Sequence, residues 1–225
     1  MLVLLDIDGT LLHGSPIAHT HAMARGMTDV FGTPVTYDDI VAIGPSGRTD
    51  QEIARVVLRG RGLADEEITA GLPDWIARAC AVYREIEADH PRGIVAPGAH
   101  EALSGLREAG AALALLTGNL EPIGHAKMAL AGLGEFFTPG QGAFGSDHEQ
   151  RTALVPIAVE RSPVKGPAVV VGDTPADIRC ARAGDARCVA VRSGPYGEAE
   201  LRDADGVGAD IADAARIVHG WLAGG

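Results

Sequence analysis

The sequence predicts a doubly wound α/β fold with a helical segment inserted after its first strand. Short apolar runs alternate with helical periodicities, and each of the clearest runs ends in a polar or glycine-rich cluster. One long stretch near the amino terminus breaks the alternation and reads as mostly helical.

Leu2 to Leu5, Ala111 to Leu116 and Ala168 to Val171 read as buried parallel strands. They end at Asp6-Ile7-Asp8-Gly9-Thr10, Thr117-Gly118-Asn119 and Gly172-Asp173-Thr174. A fourth run, Cys188 to Val191, ends at Arg192-Ser193-Gly194, and a further strand is expected near Phe136 and Phe137. Helical patterns fall between them at 99–108, 121–131, 150–161, 175–184 and 212–222. In such sheets ligands gather beyond the carboxyl ends of the strands, which is where the polar clusters lie.

The stretch 15–92 is too long for a loop. Apolar residues recur at helical spacing in Ala22 to Phe31, in Ile53 to Leu58 and from Ile68 to Ile86, where Gly71 and Pro73 are expected to split or kink the helix. The expected organisation is a core of 1–14 and 93–225 carrying a helical cap of 15–92. Gly14-Ser15-Pro16 and the segment 89–93 are the natural hinges.

Composition agrees with a parallel sheet between helices. Apolar residues are 46% and aromatics only 4%, so Ala, Val, Leu and Ile must fill the core. The formal charge of −11, with no basic run, argues against nucleic-acid or membrane-surface partners. Lys127 and Lys165 are the only lysines. Cys80, Cys180 and Cys188 are scattered, which indicates neither a zinc site nor a disulfide framework. No signal peptide or run of membrane length is read, so a cytoplasmic setting is expected.

Asp6 and Asp8 follow directly on the first strand. One carboxylate can act as nucleophile and the other as acid and base if something offsets their repulsion. A calcium loop of the EF-hand type is excluded, because its twelfth position is Ile17 where a Glu is required. Asp173 ends a strand, and Asp177 falls in the first turn of a helix that Pro175 opens; acids there either match the helix dipole or hold a cation. Thr117, Gly118 and Asn119 lead into a helix, where a hydroxyl and free N–H groups make either a cap or an anion seat. Lys127 lies within that helix.

Together these pieces resemble the haloacid dehalogenase-like (HAD) hydrolase superfamily, and more closely its phosphoglycolate-phosphatase-like members with a helical cap. Asp6 to Thr10 matches the DxDGT motif, Thr117 the strand-terminal Ser or Thr, and Gly172-Asp173 through Asp177 the GDxxxD motif. The third motif, a Lys or Arg, has two candidates: Lys127 is preferred and Arg151 is the second choice, since no Lys-Pro pair follows the third strand.

The resemblance implies a Rossmann-like core and a nucleophilic Asp6, with Asp8 protonating the leaving oxygen and then activating water. It implies magnesium held by Asp6, Asp173 and the backbone carbonyl of Asp8, with Asp177 assisting. Thr117 and Lys127, with Gly118 and Asn119, would hold the phosphoryl group. The cap segment Gly44 to Asp50 resembles a specificity loop, in which Arg48 either meets an anionic substrate tail or is solvated. The implied partner is a small phosphorylated metabolite, and the protein a monomer or homodimer. Dehalogenation and phosphonate cleavage do not need a carboxylate at the Asp8 position, whereas a phosphomutase does. A non-enzymatic binding protein would have lost a catalytic carboxylate, yet Asp6, Asp8 and Asp173 are all present. Gly140 to Gly145 fits GxGxxG only weakly, because no clear strand feeds it. His19 and His21, two apart, make a poor metal pair.

Overall fold

The computed structural model describes residues 1–14, 17–90 and 92–224, so the expected hinge residues Ser15, Pro16 and Pro91 lie outside it. Strand β1 (Leu2–Leu5) is the pivot of the architecture. It is followed by the short β2 (Leu12–His13), by helices α1 (Ile17–Phe31), α2 (Tyr37–Ala42), α3 (Asp50–Gly60) and α4 (Asp65–Ile86), and by β3 (Ile94–Val95). Then come α5 (Ala99–Glu108), β4 (Ala112–Leu115), α6 (Glu121–Leu130), α7 (Leu154–Arg161), β5 (Ala168–Gly172) and α8 (Pro175–Ala183). The chain finishes with β6 (Arg187–Val191), α9 (Glu198–Leu201), β7 (Gly206–Gly208) and α10 (Ile211–Ala223).

Five strands form one parallel sheet in the order β4-β1-β5-β6-β7. β1 pairs with β4 on one side (Leu5 opposite Leu115) and β5 on the other (Leu5 opposite Val171). All four of its residues are buried, as a strand covered on both faces requires. Side chains alternate between faces. Val3, Leu5, Val169, Val171, Leu113 and Leu115 pack toward α5 and α10, whereas Leu2, Leu4, Val170, Ala114, Cys188 and Ala190 pack toward α7 and α8. The chain runs from β1 to β4 and then returns past β1 to β5, so strand order reverses at the carboxyl end of β1.

The inserted helices form their own apolar cluster, with Met23, Met27, Ile53, Leu58, Ile68, Leu72 and Trp75 at its centre and Leu120 and Ile123 of the core joining it. The antiparallel pair β2–β3 closes the neck of the insertion. Helix α4 is continuous over 22 residues, contrary to the expected break. Gly71 serves packing there, since a Cβ would overlap the Phe31 ring. Pro73 lies on the exposed face, where the Thr69 carbonyl that loses its partner can bond water.

The strand expected near Phe136 and Phe137 does not form. Gly134–Phe136 is a 3₁₀ turn, and the following chain meets the sheet only at Ala143, whose N–H donates to Leu115 O and whose O accepts from Thr117 N. Gly140 and Gly142 both hold positive φ, which bends the chain away from a regular ladder. α2, capped by the reciprocal Thr36–Asp39 pair, and β7 were not legible at all. All three cysteines are free and buried. Among the described residues no helix is long and apolar enough to cross a membrane.

Candidate active site

The two carboxylates after β1 diverge because the chain turns between them. Asp6 still belongs to the sheet, its N–H donating to Val171 O at 2.9 Å. Ile7 O then accepts from both Leu11 N and Leu12 N at 2.9 Å, and Gly9 takes φ +86° to make the turn. Asp6 therefore faces β5 and α8, while Asp8 faces the loop after β4 and α6.

Asp6, Asp173 and Asp177 form a buried cluster in which one carboxylate oxygen of each lies within 4.8 Å of the others. Burial and the two neighbouring carboxylates push Asp173 up to about 8, and burial pushes Asp6 up to about 6 although Arg151 opposes it. Arg151 is itself buried, its Nη2 3.0 Å from Asp6 Oδ2 and 2.5 Å from Asp177 Oδ1. Burial works against its charge, but Asp177 and Asp6 outweigh that and raise its pKa. Asp177 Oδ2 accepts from Thr174 N (3.0 Å) and Thr174 Oγ1 (2.8 Å), the capping box that starts α8. Asp173 is wedged between two glycines, since a Cβ at either Gly9 or Gly194 would overlap its carboxylate. Ser193 Oγ donates to Gly9 O at 2.7 Å and ties these loops together.

One guanidinium among three close carboxylates leaves a negative surplus in a buried place. Burial is the first cause of the upward shifts of Asp6 and Asp173, and neighbouring carboxylates add to it. A hard divalent cation with oxygen ligands is the group this donor set fits.

Asp8 sits in the opposite environment. Burial pushes it up, but Lys127, His19 and Asn119 together hold its carboxyl below the ordinary value. Lys127 Nζ donates to Asp8 Oδ2 at 2.6 Å and to Asn119 Oδ1 at 2.6 Å, and lies 3.3 Å from His19 Nδ1. Asn119 Nδ2 donates to Asp8 Oδ2 (2.9 Å) and to Thr117 Oγ1 (2.8 Å). The loop after β4 thus carries Thr117 and Asn119 to the same place as α6 carries Lys127.

Asp6, Asp173 and Arg151 of the first set and Asp8, His19, Thr117 and Asn119 of the second line a cavity of about 390 Å³, roofed by the inserted helices through Thr20, Met23, Ile40 and the turn Pro45 to Arg48. That turn docks on the core: Asp50 N donates to Gly118 O at 2.8 Å, and a Cβ at Gly118 would overlap Arg48 O. Thr49 Oγ1 donates to Glu149 O, and Gln51 Nε2 to Gly145 O.

Residues 3–182 match the family model of the haloacid dehalogenase-like hydrolases. The chain belongs to that family. No curated protein matches the sequence. Solved structures similar to this HAD-like chain include a hydrolase from Pseudomonas syringae, 20% identical with a TM-score of 0.67, covering 96% of this chain and 97% of that one. CbbY from Rhodobacter sphaeroides, solved in complex with xylulose-(1,5)-bisphosphate, is 18% identical with a TM-score of 0.65, covering 94% and 95%. A predicted phosphoglycolate phosphatase from Haemophilus somnus is 18% identical with a TM-score of 0.59, covering 96% and 97%. At these identities the likeness establishes the fold.

The HAD-like chain brings Asp6, Asp8, Thr117, Gly118, Asn119, Asp173 and Arg48 around one cavity. Asp177 lies beside Asp6, and Lys127 beside Asp8. The two candidates for the third motif are both present, on different carboxylates. Arg48 pairs with Glu52 one helical turn on, and its side chain is 35% exposed. Two residues of this region were missed. His19 and Asp50 are buried, 2.8 Å apart, and close the Asp8 network from the inserted helices. The legible signal for His19 was its position on the apolar face of α1 with Ala18, Ala22 and Met23; nothing local marked Asp50 beyond its place at the start of α3.

Proposed function

We propose that the protein is a magnesium-dependent phosphatase that hydrolyses a small phosphate monoester through an aspartyl-phosphate on Asp6. The observation that carries this reading is the division of labour at the end of β1: Asp6 joins a carboxylate cluster, and Asp8, two residues on, is held by a lysine and an amide. Its division into a core of 1–14 and 93–225 and a cap of 15–92 is part of the same reading.

Asp6 Oδ attacks phosphorus, and the bond from phosphorus to the ester oxygen breaks as that oxygen takes a proton from Asp8. Water then attacks phosphorus, Asp8 receives its proton, and phosphate leaves Asp6. Such acid–base assistance contributes roughly 10²–10⁴-fold. Thr117 Oγ1 and the N–H groups opening toward α6 offer donors to the phosphoryl oxygens. Asp6, Asp173 and the Asp8 carbonyl would hold magnesium, with Asp177 beside them and already hydrogen-bonded to Thr174 and Arg151. When bound, the cation offsets the repulsion between a carboxylate nucleophile and a phosphate dianion. Arg151 would offset part of the same charge from the protein side, and Lys127 would hold Asp8 and add positive charge beside the phosphoryl group.

The family and the structural relatives support a phosphorylated small-molecule substrate, and Arg48 at the cavity roof supports one with an acidic tail. A panel of phosphorylated metabolites, assayed with and without magnesium, tests the proposal. Metal-dependent release of inorganic phosphate is expected, with loss of turnover and of trapped phosphoenzyme in Asp6→Asn. Undiminished turnover in that variant would reject Asp6 as the nucleophile. Transfer of phosphate between positions of one substrate, with none released, would reassign the same pair to a phosphomutase.

A further inference from the structure

A second cavity, of about 120 Å³, lies at the neck where the insertion joins the core. Gly14, Arg92 and Gly93 on its wall are exposed, whereas His19, Tyr83 and Lys127 on the same wall are buried, so it leads inward from the surface. Asp8 and His19 line this cavity and the roofed catalytic one alike, but Asp6, Asp173 and Thr117 line only the latter. The neck cavity therefore reaches the acid–base carboxylate without reaching the nucleophile.

Much of its wall is apolar, with Leu12, Ile17, Ala18, Val95 and Leu130, yet two polar groups on it have no partner. Tyr83 is only 5% exposed, and its hydroxyl bonds to no described residue. Glu87, which follows α4, has Oε2 buried and likewise unpartnered. Polar atoms left this way among apolar side chains cost free energy unless water completes them. The volume suits that, since a water takes about 30 Å³ and about four fit. Burial first, then the charges of Glu87 and Asp8, push Tyr83 up to about 12, so its hydroxyl keeps the proton with which it donates. At the inner end, Lys127 and Asn119 both bond Asp8 Oδ2, and Oδ1 is left to accept.

We infer that the neck cavity delivers the hydrolytic water to Asp8, with Tyr83 and Glu87 holding that water on its way. Tyr83 is a positioning residue here, acting through the water. The inference rests on the phosphatase reading above and deepens it. Substrate occupies the roofed cavity while water arrives from the hinge side, so water reaches the phosphoenzyme even before the alcohol has left. A phosphomutase has to keep water from its phosphoenzyme. A passage with polar groups that ends on the acid–base carboxylate suits a hydrolase.

The two chemical steps differ in their need for water, and this makes the passage testable. With p-nitrophenyl phosphate the leaving nitrophenolate needs no proton, so transfer to Asp6 uses neither water nor Asp8. In hydrolysis the bond from water oxygen to phosphorus forms, the bond from phosphorus to Asp6 breaks, and the water proton passes to Asp8. Rapid-quench measurements on the magnesium-loaded full chain separate the steps. Tyr83→Phe removes only the hydroxyl, and Val95→Phe narrows the cavity from a position 37% exposed on β3. In both variants transfer is expected to stay within about threefold of wild type. Hydrolysis should slow by about tenfold, as misplacement of a reactant does, and phosphoenzyme should rise toward one per chain. Methanol supplies a second readout, because it can replace water at the phosphoenzyme, its oxygen bonding phosphorus and its proton passing to Asp8. A narrowed passage excludes methanol more than water, so Val95→Phe should lower the ratio of methyl phosphate to inorganic phosphate. Unchanged hydrolysis, equal slowing of both steps, or an unchanged methanol ratio in Val95→Phe would overturn the inference. The absence of any phosphoenzyme in Asp8→Asn, where hydrolysis is disabled, would instead refute the underlying aspartyl-phosphate reading.

Discussion

At the scale of single residues, the site is two carboxylates two positions apart placed under opposite electrostatic control. Asp8 is pulled toward its charged form by one lysine, one histidine and one amide, while Asp6 and Asp173 are pushed toward their neutral forms by burial, with Asp177 adding to both. This has a consequence for stability. Between about pH 4 and about pH 8 the folded protein binds more protons at Asp6 and Asp173 than the unfolded chain does, so without metal their contribution falls as pH rises through that window. Asp8, with its lowered value, acts only below the window, where its contribution is lost as pH falls. Thermal unfolding of the metal-free protein should therefore show a midpoint that declines toward pH 8. Magnesium at a hundred times its dissociation constant should restore about 2.7 kcal/mol. A midpoint indifferent to magnesium at pH 8 would count against the carboxylate cluster as its site.

At the scale of elements, local chemistry fixes most boundaries and tertiary contact overrides the rest. α8 begins where Thr174 and Asp177 cap each other and Pro175 needs no partner for its missing N–H. β1 stops where Asp6 meets the turn closed by Gly9. α4 shows the override: Gly71 and Pro73 weaken it locally, yet Trp75 is buried with Nε1 donating to Met23 O, and Gly26 lets α1 approach until a Cβ would lie 3.2 Å from Ala79. Packing against α1 holds the helix together across both residues. Because Pro73 is exposed and only its backbone is at fault, Pro73→Ala should stabilise the protein by about 1–3 kcal/mol. Urea unfolding would show it as a higher midpoint with an unchanged slope, and a lower midpoint would mean that the proline is needed where it stands.

At the scale of the whole molecule, the insertion and the sheet are joined by backbone contacts tight enough to require particular residues. The turn Gly47 to Asp50 lies against the loop after β4 so closely that Gly118 has no room for a methyl group. Thr49, Gln51 and Arg55 then reach Glu149 and Gly145, and Arg55 pairs with Glu149 at 2.6 Å. Gly118→Ala should hold α3 off the core while leaving the sheet intact. Turnover is expected to fall by tenfold or more, with a thermal midpoint close to wild type; unchanged turnover would show that this docking is not part of the working state.

The parallel sheet, the inserted helices and the four carboxylates were legible because each depends on near neighbours in the chain: an apolar run four residues long, a repeat of three to four, a turn with a glycine at positive φ. The strand expected at Phe136 and Phe137 was misread because two aromatic residues favour extended structure, whereas Gly140 and Gly142 allow only a single contact with the sheet at Ala143. Arg151 and Lys127 could be nominated but not assigned to their carboxylates, since that choice depends on which sides of β1 the loop before α7 and the helix α6 approach. His19 and Asp50 lie 31 positions apart, and no periodicity relates them. Only the docking of α1 and α3 on the loop after β4 makes them neighbours, because desolvation decides which distant charges must find each other, and desolvation belongs to the folded chain alone.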